Sequence, residues 1–341
     1  MVMEYCLINL FGKVCFKEDW KCIIMEQSNV GVSVICLTYN HEKYIRQALE
    51  GFISQKTTFP YEVIVHDDAS TDNTQSIILE YAKKYPDIIK PILQKENQYS
   101  QKKSIHKFFT APAAHGKYIA YCEGDDFWTD YNKLQRQYEI LETHSDCSMC
   151  VHKVQKINED GSIHPHSCPN FDMDEQKIDV EGFLKIQPQY PFQTTSYFMK
   201  SELWKDLVFN PPKFRQVSSV GDEPMLLFMV THGNIYYLKE CMSCYRMFSI
   251  GSYSYRLKRS EKNKIRATEC MYNMMIEFDK YTNNSYDCNL TLYRGRMLLY
   301  QEKYKELLKK ENKDYLKKLR FYKRAYIYLC ATFPFLGKLK K

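Results

Sequence analysis

The stretch YEVIVHDDASTDNTQSIILEYAKKY, residues 61–85, contains a whole structural unit. Its first half is apolar and β-branched and ends in Asp67 and Asp68. Its second half sets apolar residues at helical spacing behind Thr71 or Asp72 as a cap. A strand that ends in acids and passes directly into a helix is the repeating piece of an open α/β sheet.

The same pattern recurs on both sides. GVSVICLTYN (31–40) reads as a buried strand, and the helix after it (41–55) carries Tyr44, Ile45, Ala48, Leu49 and Phe52 on one face. IIKPIL (88–93) is a third strand, a helix follows near 102–114, and KYIAYCE (117–123) is a fourth strand. This β-α-β-α-β-α-β order predicts an α/β fold with a mostly parallel central sheet and helices on both faces. Further on, the pattern predicts a helix over 133–144, a strand over 147–157, a loop over 164–179 and a strand over 194–200. A short helix (201–207), a helix over 222–233 and strands over 235–240 and 241–248 follow. From about residue 258 the chain reads as helical, polar and Lys-rich.

Ligands of such sheets bind beyond the carboxyl ends of the strands. Three strand ends here carry polar residues: Thr38-Tyr39-Asn40, the acids Asp67 and Asp68, and Glu123-Gly124-Asp125-Asp126. Carboxylates packed this closely repel each other and resist desolvation, so the last group calls for a cation or strong donors. Asp125 is the expected ligand of a hard divalent ion, Mg²⁺ or Mn²⁺, which takes one or two carboxylates together with substrate phosphate oxygens. The competing reading is a set of acids favoured by the dipole of the helix that follows. Asp67 and Asp68 are more acids than capping needs, and a carboxylate there suits a base N–H or a sugar hydroxyl. Tyr39 suits base stacking. Asp222 opens a helix and becomes a candidate base if the chain folds back to the rim.

Composition excludes other classes. The net charge of +7 is concentrated in the tail, where residues 301–341 hold 13 Lys or Arg against 4 Asp or Glu. The remaining chain is slightly acidic, so no nucleic-acid groove is expected. The 13 Cys show no disulfide framework or zinc spacing, which suggests a reducing compartment. No run of 18 apolar residues exists, and no G-x-G-x-x-G follows the first strand. Residues 1–24 lack the form of a signal peptide, and 1–29 is expected to lie outside the fold. The tail KKLRFYKRAYIYLCATFPFLGKLKK (317–341) mixes basic and aromatic residues. It reads either as a segment lying on an anionic membrane surface or as a solvated terminal helix.

Residues 32–55, 61–86, 116–141 and 221–238 together resemble the family 2 glycosyltransferases of the GT-A fold. The likeness runs over 30–250, with 251–341 as a helical, basic extension. It implies an inverting, metal-dependent hexosyl- or N-acetylhexosaminyltransferase. The donor would be a nucleotide sugar, UDP-linked by preference, and the acceptor a glycan or lipid-linked hydroxyl in surface polysaccharide synthesis. The cysteine usage points to a cytoplasmic protein, with the tail as its candidate contact with the inner face of the plasma membrane. On this likeness Thr38, Tyr39 and Asn40 line the donor pocket, Asp68 contacts the base with Asp67 beside it, and Asp125 binds the metal. Glu123 takes the place of the first Asp of a D-x-D motif, Asp126 follows it, and Asp222 is the general base. Two positions depart from the family pattern. Gly221 stands where a Glu usually precedes the base, and Phe248 stands where a His is common. These departures keep one alternative open: a catalytically degenerate protein that binds sugar nucleotides without turnover.

Overall fold

The computed structural model describes residues 30–247, 255, 257 and 259–333. The expectations placed on 1–29, on Phe248 and on the last eight residues lie outside these.

The first four strands are β1 (Val32–Thr38), β2 (Tyr61–Asp67), β3 (Ile89–Leu93) and β4 (Tyr118–Tyr121), and they run parallel in the order β3-β2-β1-β4. β1, β2 and β4 are buried on both faces, as is usual for the inner strands of an α/β sheet; β3 is the edge strand, with Lys90 and Pro91 exposed. Alternate side chains serve opposite cores. Ile35, Ile64 and Ile119 join one cluster, whereas Val34, Cys36, Val63 and Val65 join the other. The second cluster is closed by α1 (Ile45–Ile53) and α2 (Thr74–Lys84). Ile45, Ala48, Leu49 and Phe52 lie wholly inside it. Phe52 meets Trp128 edge-on, with ring centroids 4.8 Å apart. Burying each such side chain contributes about 1.5–3 kcal/mol.

The sheet continues beyond β4 with mixed polarity. β5 (Phe127–Trp128), β6 (Cys147–Ile157), β7 (Ile163–Cys168), β8 (Gln176–Ile178), β9 (Phe198–Lys200) and β10 (Asn234–Arg246) complete ten strands. β9 is antiparallel to both β4 and β6, and β10 runs parallel to β6. The span 164–179, expected as loop, supplies β7 and β8. Its polar, non-alternating sequence hides this, because both strands lie off the main strand path and pair with only one neighbour. The two strands expected over 235–248 are one strand, β10. Register shifts between Leu238 and Ser243 mark the irregularity that divides it in sequence.

Seven more helical elements matter to the site. The π-turn His106–Thr110 leads into α3 (Ala111–Ala113). α4 (Lys133–Thr143), α5 (Val180–Ile186), α6 (Ser201–Phe209), α7 (Lys213–Val217) and α8 (Asp222–Thr231) follow. The helix Glu261–Tyr281 is not a separate appendage. Its Met274, Met275 and Phe278 are buried in the same cluster as Ile35 and Tyr121. Leu298, Leu307, Tyr315, Leu316 and Ile327 make a small satellite core farther along the chain. Among the described residues no helix is long and apolar enough to cross a membrane.

β1 has β2 on one side and β4 on the other, so the strand order reverses at β1. A crevice opens at such a switch point, outside the carboxyl ends of the strands.

Candidate active site

Thr38 ends β1 opposite Asp67 at the end of β2. On the other side of β1, the Gly124 amide donates to the Leu37 carbonyl at 2.9 Å. These pairings bring the three polar strand ends to one sheet edge. Gly124 is needed for the close approach. A Cβ there would lie 2.8 Å from both Cβ and Oγ1 of Thr38, and 3.0 Å from His41 Nδ1. Both of those polar atoms are buried without a partner.

The first two loops are sewn together. Asn40 adopts a left-handed backbone, with φ of 55°. Its amide donates to Ser70 Oγ, and its Oδ1 accepts from the Thr71 amide, both at 2.8 Å. Asp67 is fully buried and accepts from the Ser70 amide at 2.9 Å and from Gln75 Nε2 at 2.6 Å. Asp68 is also buried, and its two oxygens accept from the amides of Gln98 and Tyr99 at 2.8 and 3.0 Å. Asn40 and Asp67 thus shape the loops, and Asp68 pins the segment 97–99 over the rim. A carboxylate offers about four acceptor sites, so Asp68 keeps room for a further donor. Tyr39 is 45% exposed at the same rim.

The acids of the third loop are held from below. The Arg246 amide donates to Asp126 Oδ1 at 2.8 Å, and Arg246 Nε donates to the Asp125 carbonyl at 3.1 Å. The guanidinium lies over the Tyr44 ring, 4.5 Å from its centroid. Arg246 therefore grips the backbone of this loop, a role its place in the sequence did not reveal. Asp126 is buried, and its Oδ2 has no partner. Burial, with the charges of Asp125 and Glu123, holds its carboxyl well above the usual range.

Glu123 Oε2 accepts from Thr194 Oγ1 at 3.3 Å. Burial, followed by the charges of Asp125 and Asp222, pushes its carboxyl up to about 7. Asp222 thus reaches the acid loop from a remote part of the sequence. It opens α8, directly after the exposed Gly221. Burial raises its pKa, and the amides of the first helical turn and the Arg215 charge oppose the rise. The Tyr197 hydroxyl is buried without a partner and feels the charges of Asp222, Glu223 and Glu123.

Glu223 follows Asp222 in the first turn of α8. It is buried, and its Oε2 accepts from Gln187 Nε2 at 2.7 Å. Gln187 Oε1 accepts in turn from the Tyr293 hydroxyl. Burial, and then the Asp222 charge, pushes Glu223 up to about 8 from an ordinary 4.5. Between those values the folded chain holds a proton that the unfolded chain has released, so stability falls as pH rises through this window. Glu223→Gln is expected to melt at least about 2 °C above the native chain at pH 8, with the gain shrinking toward pH 4.5. Thermal melts across that range check it, and a gain independent of pH contradicts it.

Two cavities stand out among the described residues. One, of about 550 Å³, is lined by residues that include Phe171, Met173, Ile178 and Ile186. The other, of about 440 Å³, is lined by Lys43, Tyr44, Asn158, Glu159 and Asp160. Neither is lined by Asp68, Glu123, Asp125, Asp126 or Asp222, so the site is defined by the grouping of these acids.

A sheet with its switch point at β1, polar residues at three strand ends, acids at two of them and a further acid at the start of α8 is the arrangement of the GT-A fold. The family model described as "Glycosyl transferase family 2" matches residues 33–205, and the chain belongs to this family. The uncharacterized protein Rv1520 of Mycobacterium tuberculosis is 47% identical over 133 residues, 38% of this chain and 37% of that protein. The chain therefore spans well under half the length of this relative. The putative teichuronic acid biosynthesis glycosyltransferase TuaG of Bacillus subtilis is 29% identical over 160 residues, 46% of this chain and 60% of its own. The crystal structure of S. aureus TarS 1–349 in complex with UDP superposes with a TM-score of 0.51 at 18% identity, covering 86% of this chain and 77% of TarS. That likeness shows the shared GT-A fold.

Proposed function

We propose that this chain transfers a sugar from a nucleotide-diphosphate donor to a hydroxyl of a glycan or lipid-linked acceptor, in the synthesis of a surface polysaccharide. UDP is the favoured nucleotide. The observation that carries this reading is that Glu123, at the end of β4 beside the switch point, feels the charges of both Asp125 and the remote Asp222. The catalytic unit is assigned to 30–250, and 251–341 is assigned as a helical extension.

The donor base lies against Tyr39 and Asp68, in loops shaped by Thr38, Asn40 and Asp67. Glu123 and Asp126 border the sugar and diphosphate. The acceptor hydroxyl attacks the anomeric carbon from the face opposite the diphosphate, and Asp222 takes its proton as the bond forms. One displacement inverts the centre. Base catalysis of this kind typically contributes about 10²–10⁴-fold.

The residues present fit a hard divalent ion. The donor set is carboxylate oxygen, the buried Asp126 Oδ2 has no partner, and Glu123 feels the charges of Asp125 and Asp222 with no ion pair to it among the described residues. Among the described residues no three His, Cys, Asp or Glu group as a complete metal cage. Asp125 would therefore hold Mg²⁺ or Mn²⁺ together with phosphate oxygens of the donor. Such an ion, when bound, offsets the charge of the departing diphosphate.

The tail is assigned to the anionic inner face of the plasma membrane, on the cytoplasmic side. In the helix Phe321–Thr332, Phe321 and Tyr322 are 77% and 59% exposed, among Lys317, Lys318, Arg320, Lys323 and Arg324. A basic, aromatic helix surface of this kind suits an acidic lipid headgroup layer.

Thermal melts with a panel of nucleotide sugars, with and without Mn²⁺, test the donor reading. Saturating the right donor at about 100 times its Kd should add about 2.7 kcal/mol, and only with the ion present. A panel without any Mn²⁺-dependent shift overturns the reading. Sedimentation of the same protein with phosphatidylglycerol vesicles tests the tail. Truncation after residue 310 should lower the bound fraction, and unchanged binding removes the membrane assignment.

A further inference from the structure

Arg215 stands near the proposed base, whose charge it feels, and forms no ion pair among the described residues. Its helix, α7, is anchored by Phe214, which is buried and packs edge-on against Phe278 and Tyr281 at 5.3 and 5.1 Å. The guanidinium makes one long hydrogen bond, NH1 to the Val220 carbonyl at 3.4 Å, and no carboxylate of the described residues lies within ion-pair range. A half-buried guanidinium with most of its five donors unspent is costly unless an anion arrives.

Its surroundings leave it open to one. NH2 lies 3.8 Å from the point where a side chain at Gly221 would begin. Gly221 has a φ of −98°, which any residue adopts, so its lack of a side chain answers no backbone need. The glycine leaves the guanidinium uncovered, one residue from Asp222. On the inner side, the Tyr121 hydroxyl takes a hydrogen bond from Trp204 Nε1 at 2.7 Å and sits 3.3 Å from His106 Nε2. Burial, with the Arg215 charge, holds His106 down to about 4, so it adds no second cation.

We infer that Arg215 binds an anionic group, a phosphate or a carboxylate, carried by the acceptor next to the hydroxyl that Asp222 deprotonates. The acceptor is therefore acidic. The inference rests on the transferase reading, because that reading gives Asp222 its acceptor. Arg215 is fixed to the Val220–Asp222 side of the rim, whereas the donor diphosphate belongs with Asp125 on the acid loop. A planar guanidinium suits two-pronged binding of such an oxyanion.

The test is calorimetric titration of the full chain with glycerol 3-phosphate, glycerate and glycerol, and separately with UDP plus Mn²⁺. At least one of the two anions should bind and glycerol should not. Arg215→Gln should weaken the anion at least ten-fold and leave UDP affinity unchanged, and Arg215→Lys should recover part of the loss. Gly221→Leu, which covers the guanidinium without changing charge, should also weaken the anion, so the test survives if Arg215→Gln fails to fold. Equal anion binding by the native chain and all three variants overturns the inference. A fall in UDP affinity on Arg215→Gln also overturns it and moves Arg215 to the donor. Absence of UDP binding by the native chain defeats the transferase reading instead, while the anion titrations are made without nucleotide and report on Arg215 independently.

Discussion

Asp222→Asn is expected to bind the nucleotide sugar as tightly as the native chain and to transfer it about 10²–10⁴-fold more slowly. Asparagine keeps the shape of the side chain at the start of α8 but cannot accept the acceptor's proton. No neighbour takes over. Glu223 is buried, bonded to Gln187, and holds its own proton up to about 8. Glu123 is engaged by Thr194 and bears on the acid loop. The pH profile carries the same signature. Asp222 has a raised pKa, so the base is ionised above that value and activity is lost as pH falls through it. The acid limb of kcat should therefore lie above the ordinary aspartate range and vanish in the variant. Steady-state rates with donor affinity measured in parallel decide it, and native turnover by Asp222→Asn removes the base assignment.

Asp125→Ala is expected to abolish the metal-dependent part of donor binding, a loss on the order of a hundred-fold in affinity. The fold should survive, because Arg246 holds the Asp125 carbonyl and the Asp126 side chain, and neither contact uses the Asp125 carboxylate. Donor titrations with Mn²⁺ and with chelator separate the two states. In the native chain chelation should weaken the donor strongly, and in the variant it should change little. A variant that keeps its Mn²⁺ response shows that the ion is held elsewhere. Metal-dependent donor binding by the native chain with no turnover would instead favour the non-catalytic alternative.

The sequence makes the parallel half of the fold plain because β1, β2 and β4 are mainly apolar runs buried on both faces, and each is followed by polar residues. Asp67, Asp68 and Glu123 stand out in the sequence for the same reason, as acids placed at the ends of buried strands. The antiparallel half is harder to read. β7 is polar and its Ile163 is 75% exposed, so pairing with β6, and not its own pattern, makes it a strand. The division of labour inside the site is also hidden. Sequence groups Asn40 and Asp67 with the ligand-facing residues, yet their side chains are spent on neighbouring backbone. Conversely, Arg246, Gln187 and Glu223 are not legible as residues that hold the site. Their roles depend on contacts with segments up to 199 residues away, which periodicity and spacing do not encode.

The most direct test follows the anomeric proton by NMR while the chain, with Mn²⁺, consumes an α-linked UDP-sugar, with water as acceptor when no sugar acceptor is supplied. If a hydroxyl activated by Asp222 displaces the diphosphate in one step, the first sugar to appear carries the β configuration, before mutarotation mixes the anomers. First appearance of the α anomer would contradict that displacement.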